Sequence, residues 1–151
     1  MPTKRQEERL TEDLLARLLK AKRPEDYLDQ GETLDRTLAD YLNELLEARK
    51  LSRGKLAKIA GMNASYVYDI FSGAKKPRRD NALMLAFALG CSLRQTQRIL
   101  RLAGVDELWP KVRRDAVIIW CIDRGYTREE CDDELYGLGE RGIFKVTGNL
   151  R

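Results

Sequence analysis

Nine basic side chains and a single acidic one fall between Arg49 and Arg79, a surplus of eight in a chain whose net charge is only +4. The flanking stretches do not share it: Met1–Ala48 holds 8 basic and 12 acidic residues, and Asp80–Arg151 holds 11 of each. Cations confined to one short stretch suit phosphate contact, with lysines as point charges and arginines as forked donors. Ordinary solvation is the plainer reading of any one of these cations taken alone. Other chemistry is excluded by residue type. The 151 residues contain no histidine, and Cys91, Cys121 and Cys131 form no Cys-x-x-Cys pair. That removes Cys/His zinc sites, imidazole bases and Ser-His or Cys-His nucleophiles. Three cysteines in apolar stretches read as small core residues in a reducing compartment. The acidic run Glu129, Glu130, Asp132, Asp133 and Glu134 lies at a helix start, where it favours the macrodipole rather than a metal. The expectation is therefore no enzyme, no metal and no cofactor.

The elements that must carry the cations are written in Leu51–Gly73, LSRGKLAKIAGMNASYVYDIFSG. Ser52 is an N-cap, Leu56, Ala57 and Ala60 give one helix an inner face, and Gly61 takes the positive φ that ends it. Met62 fills the turn, and Asn63 caps a second helix with Val67, Ile70 and Phe71 on one stripe. Two short helices crossing through a tight turn form the helix-turn-helix arrangement, whose second helix can enter the major groove of DNA.

The rest of the chain also reads as helical, with no strand-like alternation, which predicts an all-α fold. Hydrophobic content of 43% and charged content of 34% suit a globular chain with one core and attachments. No apolar run approaches the length of a membrane span, and the N-terminus lacks a hydrophobic signal core, so the expectation is a cytoplasmic protein with no membrane contact. A first amphipathic helix is predicted over Thr11–Ala21, with Leu14, Leu15, Leu18 and Leu19 on one face, then a short helix from Pro24 ended by Gly31. Asp35–Lys50 forms the next, burying Leu38, Tyr41, Leu42, Leu45 and Leu46. After the basic loop GAKKPRR, Asp80 is read as the cap of a helix through Leu89. Ser92-x-x-Gln95 opens another through Leu102, closed by Gly104. A shift of 35 residues superposes this pair, from Arg78, on the stretch from Arg113, with identities at Arg78/Arg113, Arg79/Arg114, Asp80/Asp115, Gly90/Gly125, Leu100/Leu135 and Gly104/Gly139. Thr127-x-x-Glu130 matches the capping box, and Asp115, like Asp80, is read as the cap of its apolar helix. Duplication explains the match, as does the punctuation any helical hairpin needs; both predict a second αα-hairpin stacked beside the first. Its first helix is apolar nearly all round, through Val117, Ile118, Ile119, Trp120 and Ile122, and is covered by the N-terminal helix or by a partner protomer. The predicted organisation is an N-terminal helical segment (1–33), a DNA-binding domain (34–104), a C-terminal hairpin (105–139) and a fraying tail (140–151).

Over about Leu38–Leu102 the chain resembles the phage repressor and Cro-like (XRE) helix-turn-helix family. The resemblance is carried by Leu51-Ser52, Leu56-Ala57, Gly61, Val67, Ile70, Gly73, Pro77, Leu85-Ala86, Ala88-Leu89-Gly90 and Ser92-Leu93. It implies a five-helix lambda-repressor-like domain whose second motif helix is the recognition helix. Carried over, Arg53 contacts the DNA backbone, Asn63 caps the recognition helix, and Ser65, Tyr68, Asp69 and Ser72 face outward between Ala64 and Tyr66. Ser65 and Tyr68 then reach base edges, and Asp69 can accept from a cytosine amino group. Lys75, Lys76, Arg78 and Arg79 hold the backbone beyond the helix. Ala64 stands where some members have an adenine-reading glutamine. Tyr66 and Tyr68 are also readable as half-buried structural residues.

These residues imply a sequence-specific transcriptional regulator binding double-stranded DNA, as a homodimer, in a bacterial or phage setting. The alternative is a protein-interaction module that keeps the scaffold but has lost base readout. Ile118, Ile119, Trp120 and Ile122 are then the candidate interface, for a second protomer or for another protein.

Overall fold

The computed structural model describes residues 4–28 and 36–144, with side chains described from residue 12. All the described elements are helices, in two compact units, Met1–Asp35 and Arg36–Arg151. The first unit holds α1 (Lys4–Lys20) and α2 (Pro24–Leu28). Helix α1 begins a full two turns before the predicted Thr11. Its Leu15, Leu18 and Leu19 are exposed, and Tyr27 of α2 is buried. The predicted stop at Gly31 and the start at Asp35 lie outside the described residues.

The second unit contains α3 (Leu38–Ala48), α4 (Arg53–Ala60), α5 (Ala64–Ser72), α6 (Arg79–Ala88), α7 (Leu93–Leu102), α8 (Arg113–Asp123) and α9 (Arg128–Gly137). Helix α3 starts at Thr37, whose side chain accepts from Asp40 N at 3.1 Å, and buries all five predicted residues. One continuous core runs from Leu42 through Leu56, Val67, Ile70, Leu83, Leu85, Ile99 and Leu100 to Ile118, Leu135 and Ile143. Deleting such a side chain to alanine removes apolar burial and leaves a cavity, worth about 2–5 kcal/mol.

Beyond the C-cap of α3 at Arg49, Lys50 takes φ +56 so that Leu51 N can reach back to Leu46 O at 3.2 Å. Glycine ordinarily fills this left-handed position, because a Cβ there crowds the following carbonyl. Lys50→Gly should therefore stabilise the protein by about 1 kcal/mol, read as a rise in urea midpoint at constant slope.

Several hydrogen bonds recur across the 35-residue repeat. Arg79 Nε donates to Asp106 O and Arg114 Nε to Arg141 O, both at 2.9 Å; Arg79 Nη2 donates to Glu107 O and Arg114 Nη2 to Gly142 O, both at 3.0 Å. Leu108 N donates to Gln97 and Ile143 N to Asp132, both at 2.7 Å. Each half has its capping box, at Ser92 and Thr127, and its positive-φ glycines, Gly90 and Gly104 against Gly125 and Gly139. The halves meet reciprocally. Arg79 Nη2 binds Asp115 at 2.7 Å while Arg114 Nη1 binds Asp80 at 3.1 Å, and α6 packs on α9 as α7 packs on α8. Reciprocity of this kind marks a pseudo-two-fold pairing of two hairpins into a four-helix bundle, not a translated stack.

This pairing corrects two expectations. Asp80 does not cap α6, whose N-cap is Arg78 with no side-chain bond; its carboxylate is turned to Arg114 and, at 3.7 Å, to Arg141. Likewise α8 starts from Val112, while Asp115 is buried under Arg79. An arginine fork offers each carboxylate more than one backbone N–H would. The tail also differs from the prediction over its first residues. Ile143 is fully buried, and Asp132 accepts from the N–H groups of Ile143 and Phe144, so the chain is tied down through residue 144. Residues 145–151 lie outside the described set.

All three cysteines are free thiols. Burial pushes the Cys91 thiol up to about 11, against a smaller opposing pull from Arg49, and burial raises Cys121 and Cys131 too. They are neutral core groups at neutral pH.

Candidate nucleic-acid interface

The two motif helices are built by local chemistry. Ser52 accepts from Lys55 N at 3.1 Å to start α4, and Gly61 at φ +70 ends it, with Met62 N reaching Ala57 O at 2.9 Å. Asn63 accepts from Tyr66 N at 3.1 Å to start α5. Val67, Ile70 and Phe71 turn into the core, which leaves Ala64, Ser65, Tyr68 and Ser72 exposed on the opposite arc. Of the arc named from helical periodicity, Ser65, Tyr68 and Ser72 are exposed and Asp69 is half-buried, while of its flanks Ala64 is exposed and Tyr66 half-buried.

Around this arc lie aromatic rings and cations in contact. The Arg53 guanidinium sits 5.3 Å from the Tyr68 ring centroid, and the Tyr68 hydroxyl lies 3.5 Å from where a Cβ on Gly54 would stand. Tyr68 is 46% exposed. Asp69 pairs with Lys75 at 3.5 Å, and Lys75 Nζ also lies 5.9 Å from the Tyr66 ring. That ion pair offsets the one negative charge on the basic segment. Tyr66 is half-buried, its hydroxyl accepting from Asn81 of α6 at 3.3 Å, and so ties α5 to the scaffold.

The cations divide into two groups. Arg53, Lys75, Lys76 and Arg78 are exposed, beside Lys50, Lys55 and Lys58, which the sequence alone does not single out. The lysines of α4 follow from its pattern, since they avoid the buried positions Leu56, Ala57 and Ala60. Arg49 and Arg79 instead serve the scaffold. Arg49 donates to Leu89 O at 2.8 Å and Gln95 Oε1 at 3.2 Å. Arg79 forks onto Asp115, whose hydrogen bond holds its pKa above the ordinary value despite burial. The structure therefore places Arg79 in the bundle junction and not among the exposed cations.

The candidate interface on α8 is also sorted by burial. Ile118 is fully buried and Ile119 and Ile122 are half-buried, which places the first in the core. Trp120 is 40% exposed, with the Arg124 guanidinium 4.0 Å over its ring and Tyr126 edge-on at 5.4 Å. Two residues remote in sequence carry no signal that could have marked them. Arg128 donates to Ala60 O, and Phe144 packs beside Gly61, at the turn between α4 and α5. No spacing rule connects residues so far apart.

Among the described residues, no group of three or more His, Cys, Asp or Glu side chains is placed to hold a metal. No described helix is long and apolar enough to cross a membrane. Residues 42–95 match the helix-turn-helix family model, a family of DNA-binding regulatory domains. No curated protein and no solved structure matches the chain. The match runs from Leu42 within α3 to Gln95 in the first turn of α7 and takes in the capped helices and the turn described above, so this part of the chain is similar to the helix-turn-helix family, as expected for a domain like those of the phage repressors and Cro.

Proposed function

We propose that this protein is a sequence-specific transcriptional regulator that binds an operator in double-stranded DNA as a homodimer. The observation that carries this reading is the open arc of α5 set among exposed cations, Arg53, Lys75, Lys76 and Arg78. Helix α5 enters the major groove, Arg53 and the loop cations hold phosphates on either side, and Asn63 fixes where the helix begins. Ser65 and Tyr68 offer hydroxyls to base edges. Asp69, balanced by Lys75, can accept from cytosine without adding net repulsion. The arc holds no arginine or asparagine, so DNA shape carries part of the discrimination. Footprinting of genomic fragments captured by the protein tests this reading. An inverted repeat with half-sites a helical turn apart supports it, and capture with no shared sequence contradicts it.

The dimer surface we assign is the exposed face of α8 and α9. In the first hairpin, where α4 packs on α6 and α3 on α7, Leu85 and Ala103 are buried; their counterparts Trp120 and Leu138 are exposed. Trp120, with Arg124 stacked on it and Tyr126 against its edge, has the composition of an interface anchor. Trp120→Ala should give a monomer by sedimentation, with operator affinity lower by about tenfold or more and the melting temperature nearly unchanged. The same exposed tryptophan favours the second reading, a protein-interaction module. That reading gains if Trp120→Ala abolishes cellular activity while Arg53→Ala with Lys75→Ala leaves it intact.

The neutral thiols suit a reducing cytoplasm, the setting proposed for this regulator in a bacterium or phage.

A further inference from the structure

The turn between α4 and α5 is walled by one residue of the C-terminal hairpin and one of the segment that follows it. Arg128, the first residue of α9, donates from Nη1 to Ala60 O, the last carbonyl of α4. Its guanidinium lies 4.0 Å over the Phe144 ring, and its side chain is only 12% exposed. A Cβ built on Gly61 would stand 3.0 Å from Phe144 Cε1 and 3.3 Å from Arg128 Nη1. Phe144 is itself fixed, its N–H donating to Asp132 Oδ2 at 3.2 Å while the preceding Ile143 N–H donates to Oδ1 at 2.7 Å.

We infer that Arg128 and Phe144 are positioning residues for DNA binding, which set the angle at which α5 is presented. The inference rests on the DNA-binding reading above. A cation on the terminal carbonyls of α4 satisfies one of the acceptors the helix leaves open and opposes the negative end of its dipole. Only Gly61, Met62 and Asn63 separate α4 from α5, so a shift at Ala60–Gly61 tilts α5 as a rigid rod. The displacement this tilt produces grows with distance from the turn, so it is larger at Tyr68 and Ser72 than at Ala64. The pseudo-two-fold shows that this contact is particular to the second hairpin. The 35-residue counterparts of Arg128 and Phe144 are Leu93 and Trp109, and Trp109 is exposed with Lys111 near its ring. Arg128 holds its place although its Nε is buried without a hydrogen-bond partner. Such a group costs stability, which is consistent with a residue kept for where its Nη1 and its plane are held.

The test uses the full chain with Arg128→Gln, Arg128→Lys and Phe144→Leu. Two probes are needed: a genomic duplex captured by the wild-type protein, and a random-sequence duplex of equal length. Active fractions are set by stoichiometric titration, so loss of folded protein does not enter. Arg128→Gln and Phe144→Leu should each weaken binding to the captured duplex by about tenfold, the loss expected when one base contact is misaligned. Binding to the random duplex and the salt slope should stay as in the wild type, because the phosphate contacts remain. Arg128→Lys should recover part of the loss. Amide hydrogen exchange provides the DNA-free arm: both variants should speed exchange at Gly61–Tyr66 and leave α7 unchanged. Equal loss on both duplexes, or wild-type affinity on both, overturns the inference. Failure of the wild-type protein to capture any genomic duplex defeats the DNA-binding reading instead. The exchange arm then decides the brace alone, and unchanged exchange at the turn refutes it.

Discussion

Asp115→Ala should lower the unfolding free energy by about 3 kcal/mol, within the range for breaking a buried ion pair from one side. Asp115 is 3% exposed and accepts from Arg79 Nη1 at 2.9 Å, Arg79 Nη2 at 2.7 Å and Trp109 N at 3.0 Å. Its removal leaves the Arg79 guanidinium facing a methyl group and frees one backbone N–H. Arg79 cannot simply swing into water, because it also holds the carbonyls of Asp106 and Glu107. The reciprocal change, Asp80→Ala beside Arg114, should cost a comparable amount for the same reason. Replacing Arg79 and Asp115 together by leucine and alanine should cost less than Asp115→Ala alone, since no charge is left unpaired. Urea unfolding of the three variants checks this: a loss below about 1 kcal/mol for Asp115→Ala would mean that the crossed bridges do not hold the hairpins together.

The second large effect is on DNA. Changing Arg53, Lys75 and Arg78 together to glutamine should weaken binding on the order of a hundredfold at moderate salt. The slope of log K against log salt should also become shallower by about 3, roughly 0.9 for each phosphate no longer neutralised. Lys75 contributes twice, because its removal also leaves Asp69 unbalanced on the face of α5. Arg101→Gln together with Arg113→Gln removes two exposed cations outside the basic segment and should leave the slope unchanged. Fluorescence anisotropy on one duplex over a salt series measures both sets, and equal slopes in the two would place the phosphate contacts elsewhere.

The parts of the fold written by neighbouring residues were legible in the sequence. Ser52, Asn63, Ser92 and Thr127 each cap the helix they precede, because the bond that identifies a cap spans only three residues. The face of α5 was legible for the same reason, since burial of Val67, Ile70 and Phe71 leaves one open arc. What the sequence did not disclose lies between residues far apart. Asp80 and Asp115 look like caps until Arg114 and Arg79 are seen to arrive from the other hairpin. Arg79 looks like one more loop cation for the same reason. The repeat itself was visible, but not its reciprocity, because identities do not say whether two copies stack or face each other. Lys50 in the left-handed region defies its residue type, and the contact of Arg128 with Ala60 follows from no local pattern.

Whether the open face of α5 and its surrounding cations bind duplex DNA is decided by titrating the wild-type protein with pooled genomic duplexes, from low salt to above physiological strength. Binding is expected at low salt, with an affinity that falls linearly on a log–log plot and retention of a subset of fragments over random duplex as salt rises. Absence of binding at low salt, or an affinity indifferent to salt, would contradict a DNA-binding role for this face.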